Sequence, residues 1–266
     1  MKNFHGFRNK VAVITGAGNG IGRDLAQQMA SYGTRLALAD INQDGLEKTV
    51  ASLENPSQVT TYVVDVSDLT AYQQFVKQVV SDHSQVDIVI NNAAIIHLHS
   101  IEDGDYEDYK KTMDINFYGV LYGCKEFLPY LKKSPEAWIA NINSADGLIG
   151  LRNYSSYASS KFAVRGFTDS LRVELRDTNI NVSSVHPAGV KTNISNTVVA
   201  SDNAKDSVKK MKRAMEAMTS EEAAKVIIKG MARKQKRILV GIDAQILDKL
   251  VRLFPVSMDG FYARFT

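Results

Sequence analysis

The sequence predicts an α/β protein: one domain built on a doubly wound parallel sheet with helices on both faces. Three observations carry this. Short, almost continuously apolar segments alternate with segments of helical periodicity, the pattern of strands buried on both sides. A glycine-rich turn joins the first such strand to the first helix. No Ser/Gly-rich linker, internal repeat or low-complexity tract divides the 266 residues, and single α/β domains of about 250 residues are common.

The elements follow in order. Val11 to Thr15 is a short apolar strand, and Leu25, Ala26, Met29 and Ala30 mark the helix after it, which Gly33 ends. Leu36 to Ala39 is a second strand closed by Asp40; Val59 to Val64 is a third closed by Asp65. Val86 to Ile90 is a fourth, closed by Asn91 and Asn92. Helical segments are predicted over about 43–53 and 68–83, and a longer helix from about 106 to 132. Trp138, Ile139, Ala140 and Ile142 form a buried strand leading into Ser144. The helix of Tyr157 runs on through Phe162, Phe167, Leu171 and Leu175. Asn181 to His186 and Ile238 to Gly241 are the remaining strands.

Composition excludes several classes of function. An apolar content of 44% with 23% charged residues is that of an ordinary globular protein with ample core. A net charge of +3 gives no argument for a nucleic-acid partner. Cys124 is the only cysteine, so no intramolecular disulfide forms, which suits a reducing compartment. Met1 to Lys10 lacks the apolar core of a signal peptide, and no apolar run has the length of a membrane span. The expectation is a cytoplasmic protein with no integral membrane segment. No His/Cys/Asp cluster has metal-ligand spacing, so no metal is expected.

The chemistry concentrates between Asn141 and Lys161. Ser144 falls at the carboxyl end of a buried strand, a Gly-containing loop follows, and Tyr157 and Lys161 then share one helix face at i, i+4 spacing. A phenol has an unperturbed pKa of about 10, and a fixed ammonium nearby favours its ionised form. The spacing alone is weak, because Tyr106 and Lys110 repeat it. Context separates the two pairs. Only the pair at 157 has a serine thirteen residues upstream at a strand end.

The turn Gly16-Ala-Gly-Asn-Gly-Ile-Gly22 lets backbone approach a pyrophosphate at a helix N-terminus, where unpaired amides and the helix dipole favour an anion. Asp40 ends the next strand eighteen residues after Gly22. There an acid can accept hydrogen bonds from ribose hydroxyls and oppose the extra phosphate of NADP, although it could also simply cap the turn at Asn42. Arg23 complicates the choice, because a guanidinium could offset that phosphate; Asn42 offers no positive charge.

Thr15-Gly16-x-x-x-Gly20-x-Gly22, Asn91-Asn92-Ala93, Asn116, Ser144 and Tyr157-x-x-x-Lys161 stand in the order and spacing of the short-chain dehydrogenase/reductase family, which the chain resembles over about residues 8–192. The resemblance implies a Rossmann-type sheet of about seven strands, a nicotinamide cofactor, and a catalytic group of Asn116, Ser144, Tyr157 and Lys161. It further implies that Ser144 binds the substrate oxygen and Tyr157 exchanges its proton. Lys161 would hold the nicotinamide ribose and lower the tyrosine pKa, and Asn116 would anchor a water linking Lys161 to solvent. Implied cofactor contacts are Gly16, Asn19, Gly20, Ile21 and Gly22 in the turn, Asp40 at the ribose, and Asp65 and Val66 at the adenine. Asn92, Ala93, Tyr157, Lys161, Pro187, Val190 and Thr192 would lie toward the nicotinamide. Two departures bear on geometry: Ala94 stands where the family often has Gly, and Pro187-Ala188-Gly189 replaces Pro-Gly.

Beyond Thr192 the resemblance thins. Met211, Met215 and Met218 recur at helical spacing in a segment (about 193–220) expected to form a lid over an apolar substrate, with a core-facing stripe as the alternative. Gly230 to Arg237 is a basic stretch expected on a solvated face. The C-terminal part (about 242–266) carries Ile246, Leu247, Leu250, Val251 and Phe254 on an amphipathic helix, then Phe261, Tyr262 and Phe265. Its apolar face is expected to pack on the domain or on a second subunit, with a membrane surface as a further option. His97 and His99 are expected at the loop surface, and Ile95, Ile96, Leu98 and Leu148 beside the substrate.

These residues lead to an NAD-dependent oxidoreductase that interconverts a secondary alcohol and a ketone, apolar and medium-sized. The alternatives are an NADP-dependent carbonyl or 3-oxoacyl reductase, and a non-catalytic cofactor-sensing regulatory protein. A homodimer or homotetramer is expected from the family resemblance.

Overall fold

The computed structural model describes residues 5–54, 58–192, 194 and 198–256. Its centre is a sheet of seven parallel strands: β1 (Val11–Thr15), β2 (Arg35–Asp40), β3 (Val59–Val63), β4 (Ile88–Asn91), β5 (Ala137–Ile142), β6 (Ile180–Pro187) and β7 (Arg237–Val240). The spatial order is β7-β6-β5-β4-β1-β2-β3. Strand order reverses beside β1, which pairs with both β2 and β4. In doubly wound sheets ligands bind outside the carboxyl ends of the strands at such a reversal.

Alternation along each strand divides the core in two. Ala12, Ile14, Leu36, Leu38, Ile90 and Trp138 face α1 (Gly20–Ser31) and α8 (Ser220–Ala232), through Leu25, Met29, Ile227 and Met231. Val13, Ala37, Ala39, Val89 and Ile139 face α3 (Leu69–His83), α5 (Gly119–Leu131) and α6 (Ser155–Glu174), through Tyr72, Phe75, Phe127, Val164 and Leu171. Complete burial of β1, β4 and β5 explains why these strands read as unbroken apolar runs rather than alternating ones. Helix α2 (Gln43–Ala51) starts at Asn42, whose side chain accepts from Gly45 N.

The predicted long helix is three consecutive pieces: α4 (Tyr106–Met113), a π-helical turn at Asp114–Tyr118, and α5. The π turn carries the fully buried Asn116. Single π turns inside α-helices are frequent at functional positions.

Beyond β6 lie α7 (Lys205–Ala214), α8, and α9 (Ile242–Leu253) after β7. One face of α9 packs on its own domain: Leu247 meets Leu148 and Ile149, and Asp248 pairs with Arg237 at 2.6 Å and Arg252 at 3.2 Å. Ile242, Ile246 and Leu253 are exposed. Phe261, Tyr262 and Phe265 lie outside the described residues. Arg233, Lys234 and Lys236 are exposed as expected. No helix of the described residues is long and apolar enough to cross a membrane.

Candidate active site

The glycine turn is braced from β4. Thr15 Oγ1 accepts from Asn92 N at 3.0 Å and Ala93 N at 3.2 Å, and Asn92 Nδ2 donates to the carbonyls of Thr15 (3.0 Å) and Gly16 (3.1 Å). Gly16 and Gly20 adopt φ of +64° and +50°, and a Cβ on Gly22 would collide with the Gly16 carbonyl. Asn19, the residue before α1, makes no side-chain cap, so the first amides of that helix are not taken up by a side chain. A turn with glycine at 16, 18, 20 and 22, at the head of a helix without a side-chain cap, fits a pyrophosphate. Ile21 packs into the core, so its part in the turn is mainly to anchor it.

Asp40 sits against this turn. Its Oδ2 accepts from Gly18 N at 2.8 Å and its Oδ1 from Asn42 N at 2.9 Å, so the capping role and a ribose-facing position are not exclusive. Arg23 is committed elsewhere: its guanidinium donates to the Gly18 carbonyl and to Thr49 Oγ1 (3.0 Å). Asp65 accepts from both the amide and the hydroxyl of Ser67, and Val66 is buried against Gly119. On the other side of the cleft, Thr192 lies beside Gly20, Val190 is buried, and Pro187 ends β6. The two departures in sequence are harmless to the backbone. Positive φ falls on Gly189 (+59°), and neither Ala94 nor Ala188 adopts it.

Ser144, Tyr157 and Lys161 come together at the carboxyl end of β5. Lys161 is only 2% exposed. Its Nζ lies 5.6 Å from the Tyr157 ring centroid and donates to the Ile142 carbonyl at 3.1 Å. Burial draws its pKa down to about 8, with Asp146 acting in the opposite direction. Tyr157 is 6% exposed, in the wall of an apolar cluster with Ile96, Leu98, Tyr154 and Met211. Its pKa is not lowered as the sequence suggested. Burial first, then the Asp146 charge, push it up, with a hydrogen bond from Ser144 opposing them. The phenol therefore keeps its proton at neutral pH. By contrast, Tyr106 is 93% exposed and Lys110 pairs with Asp114 at 2.7 Å, so the second Tyr-x-x-x-Lys is a surface pair.

Asn116 acts as a clasp. Its Oδ1 accepts from Ile95 N at 2.8 Å, and its Nδ2 donates to the Ile95 carbonyl (3.0 Å) and Ser160 Oγ (3.1 Å). It thereby ties the segment after β4 to α6, one residue from Lys161.

Several side chains are placed differently from expectation. His97 and His99 are both buried: His97 Nδ1 meets Thr112 Oγ1 at 3.0 Å, and the His99 ring lies against Tyr109, 4.9 Å between centroids. They sit beneath α4, where buried polar groups need partners, rather than in a solvated loop. Leu148 packs under α9 and away from the Tyr157 cluster. Met211 and Met215 do join that cluster, while Met218 packs on the opposite core.

Two residues escaped the sequence reading. Asp146 contacts Ser144 directly: Ser144 Oγ is 2.8 Å from Asp146 Oδ2, and Asp146 N donates to that Oγ at 3.1 Å. His186, fully buried on β6, places Nδ1 3.0 Å from the Ser144 carbonyl and Nε2 2.9 Å from Ser184 Oγ. The only signals were an acid two residues after the serine and a histidine before Pro187.

The sheet order, the bare glycine turn and the Ser-Tyr-Lys constellation define a dinucleotide-binding α/β oxidoreductase. Residues 10–203 match the short chain dehydrogenase family, and the chain belongs to it. It is 38% identical over 262 residues to a Mycobacterium tuberculosis protein carrying the oxidoreductase name SadH, covering 97% of this chain and 95% of that one. It is 34% identical over 190 residues to the trans-4-hydroxycyclohexanecarboxylate dehydrogenase of Sinomonas cyclohexanicum, covering 69% and 73%. Among solved structures, a Burkholderia phymatum short chain dehydrogenase/reductase in complex with NAD superposes with a TM-score of 0.88 at 26% identity, covering 93% of this chain and 94% of that one.

Proposed function

We propose that this chain interconverts a secondary alcohol and a ketone with NAD, using Tyr157 as the acid/base. The observation that carries the reading is the position of Tyr157. Its ring stands in an apolar wall with Ile96, Leu98 and Met211, with Ser144 within hydrogen-bonding reach and Lys161 5.6 Å away. A buried phenol that keeps its proton can donate it to a carbonyl oxygen, and Ser144 can orient that oxygen. Lys161 holds a positive charge 5.6 Å from the phenol ring and would hold the ribose hydroxyls of a bound cofactor. When bound, the nicotinamide supplies or accepts the hydride. The wall suits an apolar substrate, and the relative named for a hydroxycyclohexane carboxylate supports a ring-borne secondary alcohol.

NAD rather than NADP follows from Asp40. Its carboxylate is held by two backbone amides, while Arg23, the cation that could balance a further phosphate, is engaged by the Gly18 carbonyl and Thr49. The NAD found in the Burkholderia neighbour supports the same choice. The stretch holding Met211 and Met215 acts as the cover over the substrate. The pairing of subunits uses α5 together with α6, whose outer stripe carries Phe162, Gly166 and Val173.

The test is a panel of secondary alcohols and ketones, followed by absorbance of the reduced nicotinamide. Tyr157→Phe should cut turnover about 10²- to 10⁴-fold with cofactor binding nearly unchanged. Wild-type turnover in that variant would move the acid/base elsewhere. Cofactor binding without turnover on any substrate would favour the sensing protein instead.

A further inference from the structure

A serine hydroxyl has one proton to give and two lone pairs. The donor role proposed for Ser144 requires that proton to point at the substrate oxygen. In the structure the hydroxyl has two partners, the Tyr157 phenol and Asp146, and Asp146 competes for that proton. Asp146 Oδ2 lies 2.8 Å from Ser144 Oγ, and the Asp146 amide already donates to one of the hydroxyl's lone pairs at 3.1 Å. An ionised carboxylate only accepts, so it takes the single Ser144 proton. A protonated carboxyl can instead donate to the second lone pair of Oγ, which leaves the Ser144 proton free for the substrate.

We infer that Asp146 is a positioning residue: it decides where the Ser144 hydroxyl donates, and its carboxyl must carry a proton for Ser144 to reach the substrate oxygen. No bond to carbon forms or breaks in this step. One proton sits on Asp146, its O–H donates to Ser144 Oγ, and Ser144 O–H donates onward. The inference rests on the acid/base reading of Tyr157 given above.

The surroundings favour the protonated form. Burial raises the carboxyl's affinity for its proton, opposed in turn by the Ser144 hydroxyl, the residue's own amide and the Lys161 charge. Tyr154, just before α6, and Tyr157 on α6 are both held un-ionised, first by burial, and a charge on Asp146 would only reinforce this. Also around this loop stand His186 of β6, bonded to the Ser144 carbonyl, and Arg165 of α6, bonded to the Gly147 carbonyl. Asp248 of α9 is neutralised there by Arg237. His186 is held neutral, so Lys161 is the nearest cation that opposes protonation. Two backbone contacts fix the loop, His186 to Ser144 and Arg165 to Gly147, so the carboxyl is held against the hydroxyl.

The experiment is the pH profile of ketone reduction at saturating reduced cofactor, for wild type, Asp146→Asn, Asp146→Ala and Tyr157→Phe. Wild-type rates should fall by about tenfold per pH unit once Asp146 ionises. Asp146→Asn presents a neutral donor at every pH, so that limb should vanish. Asp146→Ala should lack the limb as well, at a lower plateau, because only the backbone amide at 146 then orients the hydroxyl; it stands in if the amide variant does not fold. Persistence of the wild-type limb in either folded variant overturns the inference. So does a Tyr157→Phe-sized loss in Asp146→Asn with cofactor binding intact, because the carboxylate itself would then be required. Turnover surviving in Tyr157→Phe brings down the acid/base reading and this inference together. Tyr157→Phe inactive with the limb unchanged in Asp146→Asn brings down this inference alone.

Discussion

The proposed preference for NAD turns on Asp40, and removing its side chain has two separable consequences. The first is structural. The carboxylate accepts from Gly18 N at 2.8 Å and Asn42 N at 2.9 Å. Hydrogen bonds to a charged group contribute about 1.5–3 kcal/mol each when buried. Asp40 is only partly buried, and solvent screening reduces the pair together to about 1–3 kcal/mol. At about 2–4 °C per kcal/mol for a chain near this size, Asp40→Ala should melt roughly 2–12 °C lower. The second consequence concerns the cofactor. Unit charges about 4 Å apart at an effective dielectric near 20 interact by about 4 kcal/mol. Screening and side-chain adjustment leave about 2–4 kcal/mol against a ribose phosphate, or about 30- to 1000-fold in affinity. Dissociation constants for both reduced cofactors, read by nicotinamide fluorescence, should therefore favour NADH in wild type. The ratio should shrink in Asp40→Ala and in Asp40→Asn, which removes the charge while keeping an acceptor. Wild type preferring NADPH, or a ratio unmoved in both variants, would refute the reasoning and return attention to Arg23.

Three further outcomes follow from particular contacts. Gly22→Ala drives a methyl into the Gly16 carbonyl, so cofactor affinity should drop at least about tenfold, with a loss of about 1–3 kcal/mol in stability; calorimetric titration with NAD checks the first and a denaturant melt the second. His186 is held neutral by burial at a pKa of about 4, below its unfolded value near 6.5. The unfolded chain therefore binds the extra proton between those values, and stability is complete above about pH 6.5. About 3 kcal/mol is lost as pH falls to 4, and an unchanged pH slope of the denaturation midpoint in His186→Asn would count against this. Phe162 is 43% exposed on the outer stripe of α6; light scattering at micromolar concentration should show a dimer or tetramer, and Phe162→Glu should shift it toward monomer.

Much of the fold was legible because its signals are local and redundant. All seven strands were bounded in the sequence to within about two residues, a margin at which assignment methods themselves differ. Complete burial of β1, β4 and β5 makes them read as continuous apolar runs, and each carboxyl end carries Gly, Asn or Asp. The break inside the long helix was not legible. Asn116 has ordinary helical neighbours in sequence, and the π turn is bound up with its side-chain contacts to Ile95 and Ser160, a tertiary event. The buried histidines were missed for the same kind of reason. Polar loop residues between β4 and α4 suggest solvent until Tyr109 and Thr112 are known to cover them.

For the site, spacing identified candidates and burial separates them. Tyr106–Lys110 and Tyr157–Lys161 are identical as patterns. One is an exposed surface pair and the other stands inside an apolar wall, a difference set by which helix face meets the sheet. The direction of the tyrosine shift shows the same limit more sharply. A lysine four residues away argues for a lowered pKa, yet burial and an acid from a different loop outweigh it. That acid, Asp146, lies only two residues beyond Ser144, so proximity in sequence was available. What sequence could not supply is that the loop turns back to set carboxyl against hydroxyl, fixed by His186 from β6 and Arg165 from α6. A carboxylate in a solvated loop would leave the serine unaffected. The same group held 2.8 Å from Oγ competes for the one proton the proposed reaction needs, which is why the pH profile of the Asp146 variants tests the inference directly.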